Sequence, residues 1–578
     1  MQRHDTSPPH LLRFLITGFF CTVIISCTHY GGAWQFGTPS WGESSREEAY
    51  YHYSVGTLHT LEGDVEKAIE EYRISLGLDP SSSFLHEELA KLYLRKGEKD
   101  ESIKLLEAAV TLDPANYDAH LLLGGLYGNM KNYKGAIEEY RKVITLNPER
   151  PEPHLFLGLF YQETGEYDEA IRVFAELLAL EPENVAAHYY LARTYVMKKS
   201  LPEAEAWFKK TLTLDPAYEL AAIELGLIYE TEKRNDEAIK LYGDSIAADP
   251  EAINVRFRLG KMLVKLERYE EAIRTFEDIL KIDDTHLETN FSLGLAYYFQ
   301  GKNYERAAEE FGKVLKTEPA NDRTRYFLAS AYEKLNRKDD ALRELGVIGD
   351  ESDVYATAQI HRALILKDTG RIDEAIELAR MAVEKKGKEE ELYIFLSSLY
   401  DEKGSLGEAE AIVKRGLVLM PESLDLHYRL GIIYEKMKRH DESIAQMRKV
   451  LETEPDNAEA LNFIGYSYAD RGMNIEEAEV MIKKAFELKP DNGYIMDSLG
   501  WLYFRQNKVD LALKYLKDAF DILPGDATIA EHLGDAYLQA GLNEEALLIY
   551  RKALELNPES ATLKEKIESL TKPATEGS

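Results

Sequence analysis

From residue 49 onward a small side chain returns about every 34 positions, and that period dictates the architecture before composition is considered. It falls at Gly56, Ala90, Gly124, Gly158, Ala192, Gly226, Gly260 and Gly294, then at Ala329, Ala363, Ser397, Gly431, Gly465, Gly500 and Gly534. An aromatic often follows three residues later, as at Tyr93, Tyr127, Tyr161, Tyr229 and Tyr434. A second small residue comes twelve or thirteen positions after the first (Ala68, Ala136, Ala170, Ala238, Ala272, Ala546). Four residues beyond it stands a large apolar one, such as Tyr72, Tyr140, Phe174, Phe208, Phe276 or Tyr550. Twelve units close with proline, from Pro80 to Pro558, while Asp284, Asp353 and Gly387 take that place in the other three.

Apolar residues three and four apart place one stripe on each of two helices per unit. A small residue on each helix lets the pair approach, with Tyr or Phe filling the gap beside it. Proline ends the second helix, since it has no N–H to donate and disfavours helix in the residue before it. One hairpin cannot bury its stripe alone, so neighbours must stack. The expected fold is therefore all-α, with fifteen hairpins over residues 49–558. This pattern resembles the tetratricopeptide repeat family, and the resemblance implies a right-handed superhelical solenoid. After Pro558, Leu563, Ile567 and Leu570 share one side opposite Lys564, Lys566 and Glu568, as a capping helix requires. Residues 559–578 are thus read as that cap and a disordered tail. The Gly-rich, polar stretch from Leu345 to Asp353 is poorly suited to finishing a helix. A bend is expected there, dividing the array into residues 49–350 (repeats 1–9) and 351–558 (repeats 10–15).

The first 26 residues read as an address. Arg3, His4 and Arg13 precede an apolar run from Phe14 to Ile25, too short for the ~20 residues of a membrane-spanning helix. Ile24-Ile25-Ser26-Cys27 resembles the lipobox of bacterial lipoproteins, which implies a signal peptide over 1–26 and lipidation of Cys27. An ordinary cleaved signal or an uncleaved anchor would leave Cys27 incidental. Thr28, where retained inner-membrane lipoproteins usually carry Asp, favours the outer membrane by the same resemblance, with the body facing the periplasm. Residues 27–48 are Gly- and Ser-rich and are expected to be a flexible tether carrying Trp34 and Trp41. Both cysteines, Cys21 and Cys27, lie in this region, so the body holds no thiol for a disulfide, a thiolate metal site or a nucleophile.

Charge and motifs narrow the function. With 70 Lys+Arg against 102 Asp+Glu, the net charge of −32 disfavours nucleic acid as a partner. His86-Glu87 begins like a zinc-protease helix, but Ala90 stands where the second His must be. Glycine-rich phosphate loops and calcium loops are lacking, so no catalytic residue, metal, cofactor or small-molecule substrate is expected.

Family resemblance implies that the first helices of successive units line a groove, with the residue three before each small position pointing into it. That series contains Leu155, Tyr189, Ile223, Phe257, Phe291 and Tyr326, an apolar and aromatic ladder suited to gripping a partner segment. Packing against the next first helix is the other use for the same residues. Near the C-terminus Asn462, Asp497, Trp501, Arg505 and Glu531 would form a polar second groove, unlike a carboxylate clamp, which needs Lys, Arg and Asn. The expectation is a protein-binding scaffold anchored by lipid in an envelope assembly: a pilus, exopolysaccharide export or outer-membrane protein assembly. An accessory or regulatory subunit of an envelope enzyme, such as a polysaccharide synthase or peptidoglycan hydrolase, is the alternative.

Overall fold

The computed structural model describes residues 43–571; Cys27, Trp34, Trp41 and the last seven residues lie outside them. The described chain consists of thirty-one helices joined by short turns, making fifteen hairpins and one final helix. It forms two compact units, the first ending at His286 and the second beginning at Leu287. Seven hairpins belong to the first unit, from Glu43–Glu62 and Val65–Leu78 to Ile253–Lys265 and Tyr269–Ile282. Eight belong to the second, from Leu287–Gln300 and Tyr304–Thr317 to Ala527–Gln539 and Asn543–Leu556, with Ala561–Thr571 closing the end. No described helix is long and apolar enough to cross a membrane.

Local chemistry sets the helix boundaries. The first helix of hairpin three starts after Asn116, whose side chain accepts the Ala119 N–H at 2.9 Å. Within a hairpin the chain turns through left-handed backbone, at Gly97 (φ 87°) and Gly165 (φ 78°), where a side chain would be disfavoured. Between hairpins the second helix stops two residues short of proline, as at Leu78 before Pro80. Where Asp284 replaces that proline the helix still stops at Ile282, because the Asp283 carboxylate captures the Thr285 N–H at 2.9 Å.

The hairpin interior follows the repeat pattern. The alanines at 68, 136, 170, 238, 272 and 546 are fully buried, as are Phe174, Phe208, Phe276 and Tyr550. The Phe174, Phe276 and Tyr550 rings lie on Gly158, Gly260 and Gly534 of their partner helices. A Cβ added at Gly226 would sit 2.2 Å from the Tyr242 hydroxyl, and one at Gly260 2.4 Å from the Phe276 ring. Gly260→Leu is therefore expected to lower stability by about 1–3 kcal/mol through overpacking. Gly312→Ala, with nothing within 4 Å of the new methyl, should instead stabilise its helix by up to about 1 kcal/mol. Denaturant titration of the two variants checks both signs.

Three expectations need correction. The supposed tether ends earlier than residue 48: residues 43–48 already belong to the first helix. Arg46, Glu47, Glu48 and Ala49 are good helix formers, and Ala49 is buried with its carbonyl accepting the Ser75 hydroxyl at 2.8 Å. The expected division at 350/351 is replaced by one at 286/287. The Gly-rich stretch does shorten its helix to ten residues, Lys338–Val347. Leu345 and Ile348 nevertheless pack with Ala358 and Ile365, so one core continues through it. Finally, the cap helix buries Leu563 as expected, but Lys566 is no solvated residue. Its ammonium reaches back to Glu531 at 2.8 Å and Asp535 at 2.6 Å.

Candidate protein-binding groove

In the second unit the first helices Leu424–Lys436, Ala458–Arg471, Gly493–Arg505 and Ala527–Gln539 present one face of recurring positions. Tyr428, Asn462, Asp497 and Glu531 occupy equivalent places on it, three residues before each small position. Two hollows open along this face. One, of about 590 Å³, is lined by Glu390, Glu422, Asp425, Glu454 and Asn457; the other, of about 400 Å³, by Asn462, Tyr466, Asp497 and Asp526. Tyr428 and Glu459 line both, so the two make one continuous groove.

The floor of the second hollow is held by a buried cluster. Asp497 lies against His532 Nδ1, with its two oxygens at 2.9 and 3.0 Å. The His532 ring stacks on Trp501 at a centroid distance of 4.0 Å, and Trp501 stacks on Phe504 at 4.7 Å. The Trp501 indole N–H donates to Asp470 at 3.1 Å. Burial alone would depress the His532 pKa, but the Asp497 carboxylate, aided by Asp535 and Asp470, more than offsets it and holds it above 6.5. Because the folded value is raised, this pair adds stability that is complete below pH 6.5 and is lost as pH rises through the folded value. The unfolding midpoint of the native chain minus that of Asp497→Asn should therefore shrink on going from pH 5.5 to alkaline pH.

The sequence grouped Asn462, Asp497, Trp501, Arg505 and Glu531 as one polar wall, and the structure divides them. Asp497 and Asn462 line the hollow; Trp501 is buried beneath it; Arg505 is exposed; Glu531 is held by Lys566. Missed by sequence reasoning were His532, Asp470, Asp526 and Glu459. His532 follows Asp497 by 35 residues, a spacing of one repeat plus one, and that offset was the available signal.

The apolar ladder is largely packing. In the first unit Tyr189 is 3% exposed, with its ring 5.1 Å from Tyr218 and 6.0 Å from Phe208. Leu155 and Ile223 are half-buried against the same core. Phe257 lies 5.6 Å from His286 and 6.0 Å from Phe276. In the second unit Phe291 is 5.9 Å from both Phe311 and Phe327, and Tyr326 is 5.5 Å from His361. Arg193, Lys261 and Arg323 lie over the faces of Tyr189, Phe257 and Phe291. Tyr189, Phe257 and Phe291 thus each lie against their own second helix, at Phe208, Phe276 and Phe311.

Family models described as tetratricopeptide repeat match residues 87–151, 157–219 and 498–561, residues 129–179, 231–288 and 298–364, and residues 424–457. The chain belongs to the tetratricopeptide repeat family. Among curated proteins, a TPR repeat-containing protein of Pseudomonas aeruginosa is 32% identical over 181 residues, 30% of each chain. The human antiviral innate immune response effector IFIT1 is 29% identical over 23% of this chain and 30% of its own length. This chain thus spans about 30% of the length of the curated relatives it matches. Among solved structures, Naa15/Naa10 bound to HypK-THB is 15% identical, covering 90% of this chain and 96% of that one, with a TM-score of 0.35. A crystal structure of MamA is 27% identical, covering 29% of this chain and 93% of that one, with a TM-score of 0.28.

Proposed function

We propose that this tetratricopeptide array is a non-catalytic scaffold that holds partner polypeptides on its first-helix face. The observation that carries the reading is the continuous groove in the second unit, bordered by four successive first helices. Among the described residues no group of three His, Cys, Asp or Glu is arranged to hold a metal ion. The buried His532–Asp497 pair has a tryptophan rather than a nucleophile stacked on it. In this reading Cys27 carries a lipid anchor that keeps the array at the outer membrane, facing the periplasm, in the service of an envelope assembly. Its support is the Ile24-Ile25-Ser26-Cys27 sequence.

Affinity purification of the full-length protein after crosslinking in cells tests the scaffold. The expected result is a small set of partner polypeptides; a chain recovered alone contradicts it. A single enzyme recovered in equal amount would mark an accessory subunit instead. Detergent-phase partitioning tests the anchor separately: the native chain should enter the detergent phase and Cys27→Ser should not.

A further inference from the structure

The groove of the second unit has a one-sided chemistry. Glu390, Glu422, Asp425, Glu454 and Glu459 line its first hollow, and Asp497 and Asp526 extend the series into the second; neither lining contains a lysine or an arginine. Aromatic surface is interleaved with these acids, from Tyr428, which borders both hollows, to Tyr466 and the 57% exposed Tyr494 in the second. Carboxylates beside ring faces in a partly desolvated hollow attract cations by two mechanisms at once, ion pairing and the ring quadrupole. The hollow also holds an acceptor with unused capacity, since Asn462 Oδ1 is buried and receives no hydrogen bond from the protein. A donor-rich cation satisfies that oxygen and an acid does not. The Tyr466 hydroxyl reports the same field: burial raises its pKa, and Asp470, Asp497, Glu435 and Asp526 raise it further.

Resting on the scaffold reading, we propose that this groove binds a basic segment of a partner polypeptide, with a Lys or Arg side chain entering the hollow between Tyr428, Tyr466 and Asn462. The size suits this occupant. About 400 Å³ accommodates one long side chain, and the adjoining 590 Å³ receives the flanking residues of an extended chain. Glu459 is paired with Lys489 and Asp497 with His532, but among the described residues Glu390, Glu422, Asp425, Glu454 and Asp526 carry no ion pair, so charge complementarity selects against an acidic segment.

The test uses the full chain and two fluorescent decapeptides, one alternating Leu with Lys and the other alternating Leu with Glu, followed by anisotropy. The Lys peptide should bind and the Glu peptide should not. Because the whole molecule carries a charge of −32, location must be separated from general attraction. Glu422→Gln with Asp526→Asn neutralises two groove acids that carry no ion pair, and the asparagine can keep capping Thr528 and Ile529. Asp441→Asn with Asp510→Asn removes the same charge from exposed positions on second helices. The groove pair should weaken the Lys peptide about tenfold, as loss of charged hydrogen-bond partners does, and the control pair should leave it unchanged. Equal losses from both pairs, or equal binding of the Glu peptide, would overturn the proposal. Circular dichroism of each variant confirms folding. If the proposal fails while native partners are still captured in cells, the scaffold reading stands and only the occupant is wrong.

Discussion

Phe276→Ala lowers the stability of its own part of the array by about 3–5 kcal/mol, the usual cost of emptying a fully buried phenylalanine site. The ring is 0% exposed, packs 6.0 Å from Phe257, and lies directly on Gly260. Gly260 offers no side chain that could collapse into the space. The loss should be local, because a hairpin in a stacked array touches only its neighbours. Hydrogen exchange read peptide by peptide should show faster opening across residues 253–282 and in the adjoining hairpin of the first unit. Peptides from the last three hairpins should be unchanged. Leu548→Ala, at a residue 68% exposed, is the matched control and should move stability by no more than about 0.5 kcal/mol.

His532→Leu has an effect of similar size for an electrostatic reason. Asp497 is 6% exposed and would be left as a buried carboxylate without its partner. Breaking a buried pair from one side costs about 3–5 kcal/mol, whereas replacing both members with apolar residues of similar volume is often nearly neutral. The double variant His532→Leu, Asp497→Leu should therefore recover most of the loss. A double variant as unstable as the single one would show that the Trp501 stack, rather than the uncompensated charge, dominates.

The repeats were legible because each side chain in them answers to a local rule. Gly226 must be small because Tyr242 lies on it, and Gly260 because Phe276 does. Such constraints recur every unit and show in the sequence as a period. The acidic groove was only partly legible, since it has no period of its own. It arises where Asp526, which caps a helix, and Glu459, which sits in a first turn, come to border the same hollow. Capping and groove lining look identical in sequence. The ladder from Leu155 to Tyr326 was open in the sequence to two uses, gripping a partner segment and packing on the next first helix. Its regularity marks a packing position, and in the structure Tyr189 and Phe257 spend their surface on Tyr218 and His286. The unit boundary at 286/287 was likewise hidden: the glycines around Gly346 and Gly349 drew attention, yet Ile348 keeps that segment in the core.

The scaffold reading stands or falls on which face of the array partners occupy. A photoreactive amino acid placed at Tyr494, on the groove, and another at Val480, exposed on a second helix, can be activated in intact cells and the adducts identified by mass spectrometry. Adducts to a defined partner polypeptide from position 494, with none from position 480, is the result predicted here. Equal adducts from both positions, or none from 494 while partners still co-purify, would contradict it.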